Sequence, residues 1–288
     1  MTREHTRHLL RKQGLAPHKK LGQNFLVHKW VPQKIVDLAG VHPLDTVVEV
    51  GVGLGALTLP LAKSAAHVIG LEADAGLVRL HQQQQALPAN VTLRHADALK
   101  VDFATLAPTG ERIKLIANLP YSISTPFLFR LIEHADRMAF AVVMLQKEVA
   151  KRLMAEPGSK AYGAPTVLLA ACATVRPLLE VGPEAFHPRP KVDSLVVRLD
   201  FHPVPERVRA LGEFNRPLFT RIVRAVFGRR RKTLLNGLAG CAGLPGKEHI
   251  TEVIVRAGLA PSVRAETLSL ETLVRLTRLL EPGITPSL

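Results

Sequence analysis

The stretch TVVEVGVGLGALT, residues 46–58, decides how this chain folds. Its first five residues are short, apolar and mostly β-branched, as expected of a strand buried on both faces of a parallel sheet. Gly51, Gly53 and Gly55 follow, and then the stretch 57–65 reads as a helix. Glycines where a strand turns into a helix remove side chains that would keep a ligand from the backbone. The hexapeptide 51–56 fits both a G-x-G-x-G turn and the dinucleotide fingerprint G-x-G-x-x-G/A. Glu72, at the end of the next expected strand, suits the hydroxyls of a ribose in either case. On these residues alone both readings stay open.

The pattern repeats outward from this stretch. A helix-like segment from Val31 ends at the breakers Gly40 and Pro43. Strands are expected at 67–72, 91–97, 113–117 and 140–145, with helices at 75–84, 125–134 and 147–155. Strands alternating with helices of this size imply βαβ units and a doubly wound, mostly parallel sheet. Two further strands, at 173–181 and 194–201, have no helix expected between them, so the sheet should close with an antiparallel pair. FHPVPERV, 201–208, carries two prolines and reads as a linker. Beyond it the chain is helical, at 216–227, 232–239, 247–257 and 270–280, with Gly228, Gly240 and Gly258 as punctuation. The expected organisation is a basic arm over 1–20, an α/β domain over 21–203 and a smaller all-α domain over 204–288.

Two strand ends separate the readings of the glycine turn. Asp97 would close the third strand, where a carboxylate accepts from an adenine amino group; a dinucleotide enzyme has no particular need of it. Asn118-Leu119-Pro120-Tyr121 closes the fourth. Proline lacks a donor and holds the preceding residue extended, so the strand must stop there. Taken alone, NLPY is also a capped strand end with a packing tyrosine. In a doubly wound sheet, however, the carboxyl ends of the strands line one crevice. The glycine turn, Glu72, Asp97 and Asn118 therefore converge on a single rim.

Composition narrows the partners. The 288 residues are 47% hydrophobic and 22% charged, which is ordinary for a globular protein, but 38 Lys+Arg against 24 Asp+Glu leave a net charge of +14. Such a surface attracts polyanions, nucleic acid first among them. The two cysteines, Cys172 and Cys241, stand in apolar or small-residue surroundings and offer neither a disulfide framework nor a zinc set; no metal site is expected. No apolar run approaches the roughly 20 residues of a membrane span, and the N-terminal residues are basic without an apolar signal core. The cytoplasm is the expected compartment, and a monomer the expected state.

With these motifs in place, the sequence resembles a family. LGQNFL (21–26), EVGVGLGALT (49–58), ADAL (96–99), NLPYSISTP (118–126), FHPRPKVDS (186–194) and FGRRRKTLLN (227–236) occur in the order found in the KsgA/RsmA family of rRNA adenine N6,N6-dimethyltransferases. Val52 stands where that family usually has proline, a minor departure. The resemblance implies a Rossmann-like class I methyltransferase sheet with a helical C-terminal domain. It also implies S-adenosyl-L-methionine as cofactor, and 16S rRNA within the immature small (30S) ribosomal subunit as substrate. It assigns cofactor contacts to Asn24, Leu26, Gly51, Glu72, Asp97 and Asn118, with Gly53 in the same turn. Catalysis falls to Asn118, Leu119, Pro120 and Tyr121, with Phe186 as a second aromatic beside the base. On this reading the Asn118 side-chain oxygen and the Pro120 carbonyl hold the hydrogens of an adenine amine while Tyr121 stacks on the ring.

In the C-terminal part, Arg216, Arg221, Arg224, Arg229, Arg230, Arg231 and Lys232 fall within a stretch that contains no acid. A solvated helix face ordinarily mixes signs, so Arg221, Arg224, Arg229, Arg230, Arg231 and Lys232 are read as RNA phosphate contacts. Three other functions compete. A resistance-type methylase of large-subunit (23S) rRNA shares QNFL and a similar strand end, but STPFLF, FHPRPKVDS and RRRKTLLN favour the small-subunit enzyme. An assembly factor that mainly binds immature subunits is a second rival. An NAD-dependent dehydrogenase is the most distant, because no hydride-transfer acid/base pair is apparent.

Overall fold

A computed structural model describes residues 4, 6, 7, 23–85, 87–229 and 231–281. Apart from three of its residues, the expected basic arm over 1–20 lies outside the described residues, as does Arg230. The chain divides into two compact units. One runs to Ala150 and resumes over Thr174–Pro203; the other consists of Lys151–Ala173 and the chain from Val204 onward.

The first unit is built on a seven-stranded sheet. Its strands are β2 (Thr46–Val50), β3 (His67–Glu72), β4 (Val91–His95), β5 (Ile113–Asn118), β6 (Met138–Gln146), β7 (Thr174–Val181) and β9 (Ser194–Asp200). They lie in the order β4-β3-β2-β5-β6-β9-β7. The first four pairings are parallel, and β9 joins β6 and β7 antiparallel. This is the doubly wound sheet expected from the sequence. Val47, Val48 and Leu115 have no exposed surface, as central parallel strands require. A short antiparallel ribbon stands apart from the sheet: β1 (Phe25–Leu26) pairs with β8 (Phe186–His187), Leu26 opposite Phe186.

The crossover helices begin and end where local chemistry directs. Helix Trp30–Ala39 stops at Gly40, whose φ of 64° is the left-handed C-cap position. Helix Ala75–Gln84 starts at Asp74, whose carboxylate accepts from the Gly76 and Leu77 amides. Strand β4 ends at His95, two residues before the expected limit. Asp97 turns its carboxylate back onto the Leu99 amide, 2.9 Å away, and this local turn replaces the ladder. Strand β5 runs one residue further than expected, because Asn118 still pairs with Met144.

The second unit is helical. Its helices are Ala164–Ala170, Glu206–Ala210, Arg216–Gly228, Leu234–Leu238, Lys247–Arg256 and Leu270–Leu279. Helix Arg216–Gly228 is its centre, burying Leu218, Phe219, Ile222, Val223, Val226 and Phe227 on one face. Helix Ala164–Ala170 is not anticipated by the sequence pattern. Proline breaks a helix in its interior, but Pro165 stands in the first turn, where its missing N–H goes unneeded. Residues 151–173 pack in this unit rather than with the sheet: the Tyr162 hydroxyl donates to the Leu268 carbonyl at 3.0 Å. An α/β domain running unbroken over 21–203 therefore does not describe the compact units. The prolines of 201–208 are likewise followed at once by helix Glu206–Ala210. Among the described residues, no helix is long and apolar enough to cross a membrane.

Candidate active site

The carboxyl ends of β2, β3 and β5 open onto one cleft of about 670 Å³, part of it open to solvent. Its wall begins with the glycine turn. Gly51 and Gly53 have φ of 80° and 57°, conformations that side chains resist. A Cβ on Gly51 would stand 3.6 Å from the Asn118 carbonyl oxygen, and one on Gly53 3.4 Å from the Phe25 ring. The backbone thus approaches both the end of β5 and the β1 ribbon closely, forming a cradle that side chains would fill. Val52 takes its place by packing over Gly70 of β3, where even a methyl group would clash with it.

Glu72 lies at the end of β3 with 5% of its surface exposed. One carboxylate oxygen accepts from the Gly53 amide and the other from the Asp74 amide, each at 2.8 Å. Burial raises its pKa above the ordinary carboxylate value, and the two amides work against that rise. Each oxygen retains acceptor capacity beyond its amide. Two residues that the sequence does not assign to this site, His81 and Asp74, support its wall. His81 Nε2 lies 2.8 Å from the Gly53 carbonyl, and Asp74 accepts from Gln23 Nε2 at 3.2 Å. The latter bond ties the segment before β1 to the start of helix Ala75–Gln84.

Asn118 lines the cleft from the end of β5, beside Asn24 and Leu26 of the β1 ribbon. Its Nδ2 donates to the Asn24 carbonyl at 3.2 Å. Leu119, Pro120 and Tyr121 continue the lining. The Pro120 carbonyl already accepts from the Ile123 amide at 3.1 Å and from the Ser124 hydroxyl at 3.3 Å, so both its lone pairs are engaged at the helix start. Tyr121 is half-buried; its hydroxyl lies 2.8 Å from the hydroxyl of Ser194, and burial raises its pKa.

Two residues assigned from the resemblance are not among those that line the cleft. The Asp97 side chain is 43% exposed, bound to the Leu99 amide and 3.9 Å from Lys100 Nζ. Phe186 is 1% exposed and packs in the main core with Leu26, Ile35 and Val36. The reason is the register of the β1–β8 ribbon, which sets Phe186 opposite buried Leu26. In this structure its ring supports the ribbon instead of facing a base in the cleft.

Glu49, in the middle of the opening motif, reads in the sequence only as a strand residue. It is fully buried, yet it borders the cleft floor. Among the described residues, no group meets hydrogen-bond geometry with either carboxylate oxygen, although the Thr58 hydroxyl lies close enough to favour the ionised form. Burial, with a smaller contribution from nearby Glu72, pushes its pKa up to about 8.

In the second unit, Arg221 and Arg224 are exposed on helix Arg216–Gly228, opposite its buried face, and Arg229, Arg231 and Lys232 are exposed just beyond it. Arg230, assigned with them, is outside the described residues.

A doubly wound sheet with an antiparallel close, a glycine cradle and an acid ending β3 defines a Rossmann-like class I methyltransferase, dependent on S-adenosylmethionine. The cradle, Glu72 and the acid-lined floor suit that cofactor. Within this class, the chain belongs to the ribosomal RNA adenine dimethylase family, whose model matches residues 14–281. It is 48% identical to a ribosomal RNA small subunit methyltransferase A of Desulfotalea psychrophila, over 96% of this chain and 95% of that one. Among solved structures it resembles a dimethyladenosine transferase from Plasmodium falciparum. That match has a TM-score of 0.69 and 28% identity, covering 88% of this chain and 95% of that one. The 23S rRNA methyltransferase ErmE, at 24% identity and a TM-score of 0.60 over 89% and 99% of the two chains, shares the fold. The chain is an enzyme that methylates adenine in ribosomal RNA.

Proposed function

We infer that this chain dimethylates N6 of two adjacent adenosines in the 3′-terminal hairpin of 16S rRNA. It acts in the cytoplasm, as a monomer, on the immature small (30S) subunit. The observation that carries this reading is the hydrogen bond from Asn118 Nδ2 to the Asn24 carbonyl. With its amino end engaged, the Asn118 amide has Oδ1 left as the acceptor it can offer to the cleft it lines.

An adenine amine is a poor nucleophile, because its lone pair is delocalised into the ring. Two acceptors that take its two hydrogens favour a pyramidal nitrogen with the lone pair free to attack. Asn118 Oδ1 is the first. The second is the Leu119 carbonyl, in place of the expected Pro120 carbonyl, which Ile123 and Ser124 occupy. Proline at 120 holds Leu119 extended and so aims that carbonyl. Tyr121 stacks on the base, an interaction worth ~1–3 kcal/mol. The target base reaches these groups only when flipped out of its stack. When bound, S-adenosylmethionine supplies a methyl group already activated by its sulfonium charge. The residues need only align the amine, so no strong general base is required.

In this reading Glu72 accepts from the ribose, and Gly51 and Gly53 bring backbone beside the methionine moiety. Asn24 and Leu26 cover the cleft, and Asp97 meets the adenine of the cofactor from the rim. Arg221, Arg224, Arg229, Arg230, Arg231 and Lys232 neutralise RNA phosphates. The 48% identity to a small-subunit methyltransferase supports 16S over 23S rRNA as substrate. Incubating the enzyme and labelled cofactor with immature small subunits and, separately, with large subunits tests the choice. Dimethyladenosine at two adjacent positions of 16S rRNA is expected; label confined to 23S rRNA contradicts the reading.

A further inference from the structure

The protein carries a net charge of +14, yet its cleft is lined by two carboxylic acids and by no lysine, arginine or histidine among the described residues. One of the acids, Glu72, is held by two backbone amides. The other, Glu49, has no exposed surface and, among the described residues, no group in hydrogen-bond geometry with either oxygen. Its neighbours among the described residues supply no counter-charge. Across the ladder stand Gly70 of β3 and Ile116 of β5. Thr58 faces it from the following helix, and Glu72 is the charged group nearest in effect. Of the remaining cleft residues that the structure describes, only Tyr121 is titratable. An ionised carboxylate in such a place is costly unless a cation compensates it.

We propose that Glu49 is a proton-linked counter-charge for the cofactor, neutral in the ligand-free chain and ionised when a sulfonium occupies the cleft. The chain thereby favours the cationic methyl donor over its neutral thioether product. The inference rests on the reading that this cleft is the cofactor site. The proton leaves the Glu49 carboxyl for solvent as the ligand enters, and the carboxylate and sulfonium then neutralise one another at low local dielectric. Glu49 needs no contact with the ligand; it selects by field. The raised pKa of the carboxyl agrees with a group that waits protonated at neutral pH.

Calorimetric titration of the full chain with S-adenosylmethionine and, separately, S-adenosylhomocysteine tests this between pH 6.0 and 7.5. That range lies below the titration of an α-amino group, at about 7.7–8.0. Two buffers of different protonation heat report the proton released. For the sulfonium ligand, Kd should fall by up to about tenfold per pH unit, with close to one proton released. For the thioether the change should stay under about threefold over the range. Glu49→Gln should flatten the first dependence and reduce the preference between the two ligands. Equal pH dependence of both ligands on the parent chain overturns the proposal, with no need of a variant; so does a folded Glu49→Gln that keeps the parent's dependence. Glu72→Ala separates the two failures. If it weakens both ligands while the pH dependences are equal, only the role of Glu49 falls. If it leaves both affinities unchanged, the cofactor lies elsewhere and both readings fall.

Discussion

The hydroxyl of Tyr121 lies 2.8 Å from the hydroxyl of Ser194, joining the turn after β5 to the first residue of β9, seventy-three positions further along the chain. Ser194 is fully buried and pairs with Gln146 on one side and Val181 on the other. The bond therefore fastens a ring of the cleft to the antiparallel end of the sheet. A phenol held this way cannot rotate with the loop, and its raised pKa keeps it protonated through neutral pH.

If the ring is the stacking platform and the bond its anchor, the two losses should differ in size. Tyr121→Phe and Ser194→Ala each remove a hydrogen bond worth about 0.5–1.5 kcal/mol. Each should slow single-turnover methylation by about two- to tenfold. Tyr121→Ala also removes the stacking surface and should cost ~1–3 kcal/mol beyond that. Cofactor affinity should change little in all three. Equal rates for Tyr121→Phe and Tyr121→Ala would show that the ring does not stack on the base.

The basic stripe predicts a change in salt dependence. Arg229, Arg231 and Lys232 are exposed on one stretch of the second unit. Replacing all three with glutamine should lower the slope of log affinity against log salt by roughly 0.7–0.9 for each phosphate that is no longer neutralised. Binding of the variant to immature small subunits across a salt series measures this. An unchanged slope would reduce the stripe to a solvated face.

Glu49 also makes stability depend on pH, and the sign follows from its raised pKa. Between its ordinary value of 4.5 and about 8, the folded chain keeps a proton on Glu49 that the unfolded chain has released. The folded state therefore binds more protons, and stability must fall as pH rises through that window. Thermal unfolding of the ligand-free chain should show this decline, and Glu49→Gln should show less of it. A Glu49→Gln chain whose Tm falls with pH as steeply as the parent's would mean that Glu49 is ionised in the fold.

How much of this is legible in the sequence depends on which interactions are local. The β-branched run of β2 between Pro43 and Gly51 carries its own strand preference, and the alternation of strands with helices lets a doubly wound sheet with an antiparallel close be anticipated. Asn118 can be set beside the glycine turn because a parallel sheet brings strand ends to one rim. Glu49 cannot be singled out. In a strand buried on both faces every side chain is enclosed, and nothing in TVVEV tells which one meets a cleft. The burial of Phe186 is not legible because a two-residue ribbon sets its environment, and that pairing joins segments distant in the chain. Ser194 and the packing of residues 151–173 in the second unit are likewise tertiary facts with no local signal. Pro165 misleads in the opposite way, being a breaker everywhere except in the first turn of a helix.

The central claim is that the Asn118 amide aligns the amine of a flipped adenine. It is tested most directly by single-turnover methylation of immature small subunits by Asn118→Ala at saturating cofactor, so that any loosening of the Asn24 contact does not limit the rate. Losing one preorganised acceptor in a water-excluded site costs ~2.7–4 kcal/mol of barrier, a fall of ~10²–10³ in rate. RNA affinity should remain near that of the parent, because the basic stripe is untouched. A folded Asn118→Ala chain that methylates at close to the parental rate would contradict the account and leave NLPY as a turn that ends a strand.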